Sequence, residues 1–116
     1  MTTSLDLHVG DSAEAMARRF IEAWHRAERG EAVDEHHLSF ESWEGLVKVL
    51  TPRRLELLRH LRRHAAPSIA ELARALGRDY KRVHEDVEAM AAAGLIDRTA
   101  AGLRADYGEI RARIAV

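Results

Sequence analysis

The sequence predicts a mainly α fold with a small β component. Apolar residues recur at helical spacing through most of the chain, Ser, Thr and Asp caps alternate with Gly stops at short intervals, and apolar/polar alternation is confined to a few short runs. The 116 residues suit one domain, or a small domain with an appendage. A chain this long buries about two-thirds of its unfolded surface, enough for a core without staples. It has no cysteine, which excludes disulfides, thiolate zinc sites and cysteine nucleophiles. With 47% apolar and 32% charged residues, the composition is that of a soluble globular protein. No apolar run approaches the roughly 18 residues of a membrane span. The opening Met-Thr-Thr-Ser-Leu-Asp-Leu has neither a basic nor a long apolar segment, so the expected location is cytoplasmic.

Taken in order, Leu5, Leu7 and Val9 alternate with Asp6 and His8 as a short strand that Gly10 breaks. Asp11 or Ser12 caps a helix whose Met16, Phe20, Trp24 and Ala27 share a face, flanked by Ala17 and Ile21, and Gly30 ends it. His36 to Phe40 is a second short strand, and Ser42 opens a short helix to Leu50. Thr51-Pro52 restarts the chain as a helix, with Thr as the cap and Pro in the first position, where its missing N–H costs nothing. That helix turns Leu55, Leu58 and Leu61 inward, carries five arginines, and stops at Ala66-Pro67. Ser68-Ile69-Ala70-Glu71 is a capping box opening a helix that buries Ile69, Leu72, Ala73 and Leu76 and ends in a left-handed Gly77. Asp79 caps the next helix, with Val83, Val87 and Met90 inward. Residues 95–99 and 103–107 form a short hairpin, and 110–116 a last strand.

Charge is unevenly spread. Residues 51–84 carry nine Lys/Arg against three Asp/Glu, a net +6, whereas residues 1–50 net −5 and residues 85–116 net −2. A basic centre between acidic flanks suggests that the centre meets a polyanion. The centre also holds two short helices joined at Gly77 and followed by a hairpin, the order of a winged helix-turn-helix. Ala73 is small where the second helix must approach, Gly77 turns the chain four residues later, and Val83 packs back six residues beyond that. The second helix, residues 79–93, would then enter a major groove. Arg78, Lys81, Arg82 and His84 are its candidate groove contacts, Arg53 and Arg54 face phosphates, and Arg98 and Arg104 belong to the wing.

Phe40-Glu41-Ser42-Trp43, Leu50-Thr51-Pro52-Arg53-Arg54-Leu55-Glu56-Leu57-Leu58, Ser68-Ile69 and Gly77-Arg78-Asp79-Tyr80-Lys81-Arg82-Val83-His84 resemble the corresponding blocks of a small prokaryotic family. Its members are MarR-like winged helix-turn-helix DNA-binding proteins often encoded beside a toxin-like gene. The likeness covers residues 36–110 well and the first helix loosely. It implies a transcriptional regulator and the antitoxin of a two-gene module. The expected function is sequence-specific DNA binding that represses its own operon, with Ser68 and Tyr80 also among the expected DNA-binding residues. The wing is very short and its tip, Thr99 to Gly102, carries no charge.

The expected architecture is therefore a strand–helix appendage, residues 1–35, before a winged domain, residues 36–116. Met16, Phe20, Ile21 and Trp24 are either core or an interface for a second copy or a toxin partner, because aromatics and Met are enriched at such surfaces. The partners expected are double-stranded DNA and a second copy of the chain, with no membrane. His60 and His64 have metal-ligand spacing, but no cysteine pair or His-Glu-x-x-His completes a site, so no metal or cofactor is expected. The carboxylates are explained by polar helix faces, and no nucleophile spacing or phosphate loop appears, so an enzyme is not expected. The competing class is a protein-interaction module that binds its partner without specific DNA binding.

Overall fold

The computed structural model describes residues 3–31 and 36–116. Among them run β1 (Ser4–Val9), α1 (Ala13–Glu28), β2 (His36–Phe40), α2 (Trp43–Val49), α3 (Pro52–Arg63), α4 (Ile69–Leu76), α5 (Tyr80–Ala92), β3 (Asp97–Thr99), β4 (Gly102–Arg104) and β5 (Glu109–Ile114). These elements make a small α/β protein. They fall into two units: the described residues of Met1–Gly45 with Gly108–Val116, and Leu46–Tyr107. The division departs from the expected appendage and domain. Residues 36–40 and 109–114 do form strands, but both pair with β1, and the expected boundary at residue 35 lies outside the described residues.

The first unit is a three-stranded sheet in the order β2-β1-β5, all parallel. Parallel neighbours cannot be joined by a hairpin, so α1 serves as the crossover between β1 and β2. Ser12 caps α1 by accepting a bond from Ala15 N at 3.1 Å. The pleat sorts β1 into two faces: Leu5, Leu7 and Val9 on one, all buried, and Asp6 and His8 on the other. Asp6 and His8 are buried as well and lie in a polar network. Arg111 Nε donates to Asp6 Oδ1 at 2.9 Å, His8 Nε2 lies 2.8 Å from His37 Nδ1, and His8 Nδ1 lies 3.3 Å from Asp11 Oδ2, which Arg19 of α1 also binds. No residue of α1 is buried, and Phe20 and Trp24 are 69% and 58% exposed. The apolar stripe anticipated on this helix therefore faces solvent.

The second unit is built on Leu57, Leu72, Val83, Val87, Met90 and Leu95, each less than 2% exposed. Every such side chain contributes about 1.5–3 kcal/mol of burial. Local signals set the helix ends. Thr51 Oγ1 accepts from Arg54 N, Ser68 Oγ from Glu71 N, and Asp79 Oδ2 from Arg82 N. Only half of the capping box at Ser68 forms, because the Glu71 carboxylate binds Arg74 instead of returning to the Ser68 N–H. Gly77 ends α4 at φ +64°, and Arg78 N donates to Ala73 O at 3.0 Å, so the chain reverses directly into α5. Antiparallel β3 and β4 form a hairpin with a two-residue tip, pinned by paired bonds between Ala66 and Leu103 (2.7 and 3.1 Å).

Gly102 sits where that pinning is tightest. A Cβ there would lie 2.2 Å from the Ala66 carbonyl oxygen, and its φ is +128°. Gly102→Ala is therefore expected to destabilise the chain by about 3 kcal/mol in urea unfolding, combining overpacking with backbone strain. Gly77→Ala has open space and only its left-handed φ against it, so it should cost about 1 kcal/mol. Equal costs would refute this account of Gly102.

Burial, then the Arg19 and His37 charges, pull the His8 pKa below its ordinary 6.5, against the opposing Asp11 and Asp6 carboxylates. The unfolded chain then takes up the proton first, so stability should fall as pH drops below about 6.5. His60, lowered by burial and then by His64 and Arg63, adds to the same slope. A urea series between about pH 5 and 7.5 should show this loss, smaller in His8→Gln, and a flat profile for the natural chain would contradict it.

Candidate functional site

Local structure brings four predicted residues together. Thr51-Pro52 places Arg53 and Arg54 in the first turn of α3, while the Gly77 reversal and the Asp79 cap place Arg78 and Arg82 at the start of α5. These four arginines, with Glu85 and Asp86 of α5, line a cleft of about 460 Å3 between the start of α3 and the first half of α5. Val83, Val87 and Met90 fix the rotation of α5 by turning inward, so Lys81 and Glu85 face away from the core.

The four arginines are not equivalent. Asp86 accepts from Arg54 Nε at 3.0 Å through Oδ1 and from Arg78 Nη2 at 2.7 Å through Oδ2. Arg54 Nη1 also donates to the carbonyls of Lys48 and Val49, each at 3.0 Å, satisfying acceptors that the end of α2 leaves open. All three side chains of the Arg54–Asp86–Arg78 group are less than one-fifth exposed. The guanidiniums of Arg53 and Arg82, by contrast, bind no carboxylate among the described residues, and both residues lie at the surface. Lys81 is likewise exposed and without an ionic partner among the described residues.

The remaining predicted residues are spread around this cleft. Tyr80 is exposed, its ring 5.9 Å from that of His84. His84 Nε2 lies 3.7 Å from Glu88, which also binds Arg98, and that bond holds the Glu88 carboxyl below its usual pKa. Arg104 binds Asp106 at 3.1 Å, so both hairpin arginines carry an acidic partner. The Ser68 hydroxyl is occupied as the α4 cap. Met16, Phe20, Ile21 and Trp24 lie on exposed α1, in the other unit. Among the described residues no group of three His, Asp or Glu side chains could hold a metal ion.

From the sequence Asp86 counts only among the carboxylates that a polar helix face explains, not among the site residues. Its signal is an acid three residues after Val83 and one before Val87, bordering the inner face of a helix that faces a run of arginines.

The HVO_A0114 family model matches residues 49–112, more than half of the chain, and the chain belongs to that family. No curated protein and no solved structure matches it.

Removing Asp86 leaves two half-buried guanidiniums facing each other. Asp86→Ala should destabilise the chain by about 2 kcal/mol, less than the 3–5 kcal/mol of a fully buried pair because the group is partly solvated. Chemical denaturation of Asp86→Ala, Arg54→Ala and the double variant should show strong non-additivity. Additive costs would mean that the two side chains act separately.

Proposed function

We propose that this member of the HVO_A0114 family is a sequence-specific, double-stranded DNA-binding transcriptional regulator, with residues 46–107 acting as a winged helix-turn-helix and α5 as its recognition helix. The observation that carries this reading is the set of cations without an ionic partner among the described residues, Arg53, Lys81 and Arg82, at the exposed start of α5 and beside it on α3. Phosphates need unpaired, solvent-facing cations, and base edges need a protruding helix. The α4–Gly77–α5 reversal followed by the β3–β4 hairpin supports the same docking.

On this reading Arg53 and Arg82 bind backbone phosphates and Lys81 reads a base edge. Arg54 and Arg78 hold the cleft in shape, and Arg98 and Arg104 make at most weak wing contacts across their acidic partners. A homodimer would set two α5 helices about 34–36 Å apart on a pseudo-palindromic site. Repression of its own promoter in the cytoplasm, as the antitoxin of a toxin–antitoxin pair, completes the proposal.

The test is fluorescence anisotropy of a labelled duplex from the upstream region at several salt concentrations, with an unrelated duplex as competitor. Arg53→Ala with Arg82→Ala should weaken binding to every sequence and lower the salt slope by about 2, near 0.9 per lost phosphate contact. Lys81→Ala should instead cost about 1–3 kcal/mol of discrimination at one base pair. Binding unchanged in both variants would end the model.

The exposure of Phe20 and Trp24 favours a second reading, a protein-interaction module that captures a toxin or a second copy through α1. Trp24→Ala would then abolish partner binding and leave DNA affinity as it was.

A further inference from the structure

The first unit holds a cavity of about 390 Å3, separate from the arginine cleft of the second unit. It lies beside the carboxyl ends of β1 and β5 and along the first half of α1. The sheet order β2-β1-β5 sends the chain to one side of β1 through α1 and brings β5 in on the other. That arrangement is a topological switch point, the place where open parallel sheets bind ligands. The cavity is also within the size range of small-molecule sites.

Its lining is charged. Arg18, Arg19 and Arg113 face Asp11 and Glu22, three guanidiniums against two carboxylates, and His8 contributes to the wall. Asp11 is taken up by Arg19 and His8. Arg18 and Arg113 contact no carboxylate among the described residues. His8 of the wall and Asp6 on the same face of β1 are both buried, held by Arg111, His37 and Asp11, while the apolar stripe of α1 is left in water. A fold seeking stability alone would turn that stripe to the sheet, because buried ionic groups are poor sources of net stability. Buried, specifically partnered titratable groups at a cleft are instead a mark of binding sites.

We propose that this cavity binds a small oxyanion, a carboxylate or phosphoryl group of a metabolite, between Arg18 of α1 and Arg113 of β5. The two guanidiniums supply planar donor forks, which carboxylate and phosphate oxygens accept in pairs. The Asp11–Arg19 and His8–His37 contacts hold the wall behind them in place. The site does not depend on DNA binding by the second unit.

The experiment is thermal unfolding of the full chain with inorganic phosphate and, separately, succinate, against sodium chloride at equal ionic strength. One of the two probes should raise the midpoint by about 5 °C above the chloride control at saturation, with an apparent Kd on the order of 1 mM. The probe that acts identifies the group. Arg18→Gln with Arg113→Gln should weaken that effect at least about tenfold. Both residues are exposed, so this variant retains the fold, checked by circular dichroism. Arg53→Gln with Arg82→Gln should leave the effect intact. No rise beyond chloride, a rise that survives the Arg18/Arg113 variant, or one lost in the Arg53/Arg82 variant would each overturn the proposal.

Discussion

One carboxylate holds the helical unit in register. Asp86 binds Arg54 at the start of α3 and Arg78 at the reversal before α5, and Arg54 extends the connection to the last carbonyls of α2. Three helices and one turn therefore converge on a single side chain. Apolar burial is non-directional, whereas two charge-assisted bonds to opposite oxygens of one carboxylate fix a geometry. The shape of the cleft, and the spacing of the cations left on its rim, follow from this constraint. Asp86 also divides the arginines by role, absorbing two and leaving Arg53 and Arg82 to solvent.

The sheet unit applies the same device on a different scaffold. Asp6 and Asp11 each hold an arginine from another element, Arg111 of β5 and Arg19 of α1, and the His8–His37 contact links β1 to β2. The three strands are thus tied by side chains as well as by the backbone ladder. With this polar layer on one face of β1, α1 makes a poor apolar lid, and its large side chains are left available for other contacts.

What the sequence revealed divides by range. The ends of α3, α4 and α5 were legible because Thr51-Pro52, Ser68, Gly77 and Asp79 act within four residues of themselves. The strands at residues 4–9, 36–40 and 109–114 were legible as alternation, but their pairing was not. Nothing local specifies that Ser4 meets Glu109, 105 positions away. The same reason hid the Arg54–Asp86 bond across 32 residues. Arg54 and Arg78 looked like surface cations because charge patterning records residue type and not the counter-ion. For α1 the periodic stripe was read correctly as a stripe, but periodicity cannot say which way a helix face turns when the facing sheet is polar.

The sheet pairing carries a consequence for how the chain assembles. The helical unit is one continuous stretch, Leu46–Tyr107, threaded between β2 and β5. During synthesis from the N-terminus the whole of this stretch precedes β5. The sheet unit must wait. Until Glu109–Ile114 arrives, β1 has a neighbour on one edge only, and its other edge is an open template for any extended segment nearby. For the nascent chain this is the vulnerable interval, and it closes only when β5 docks.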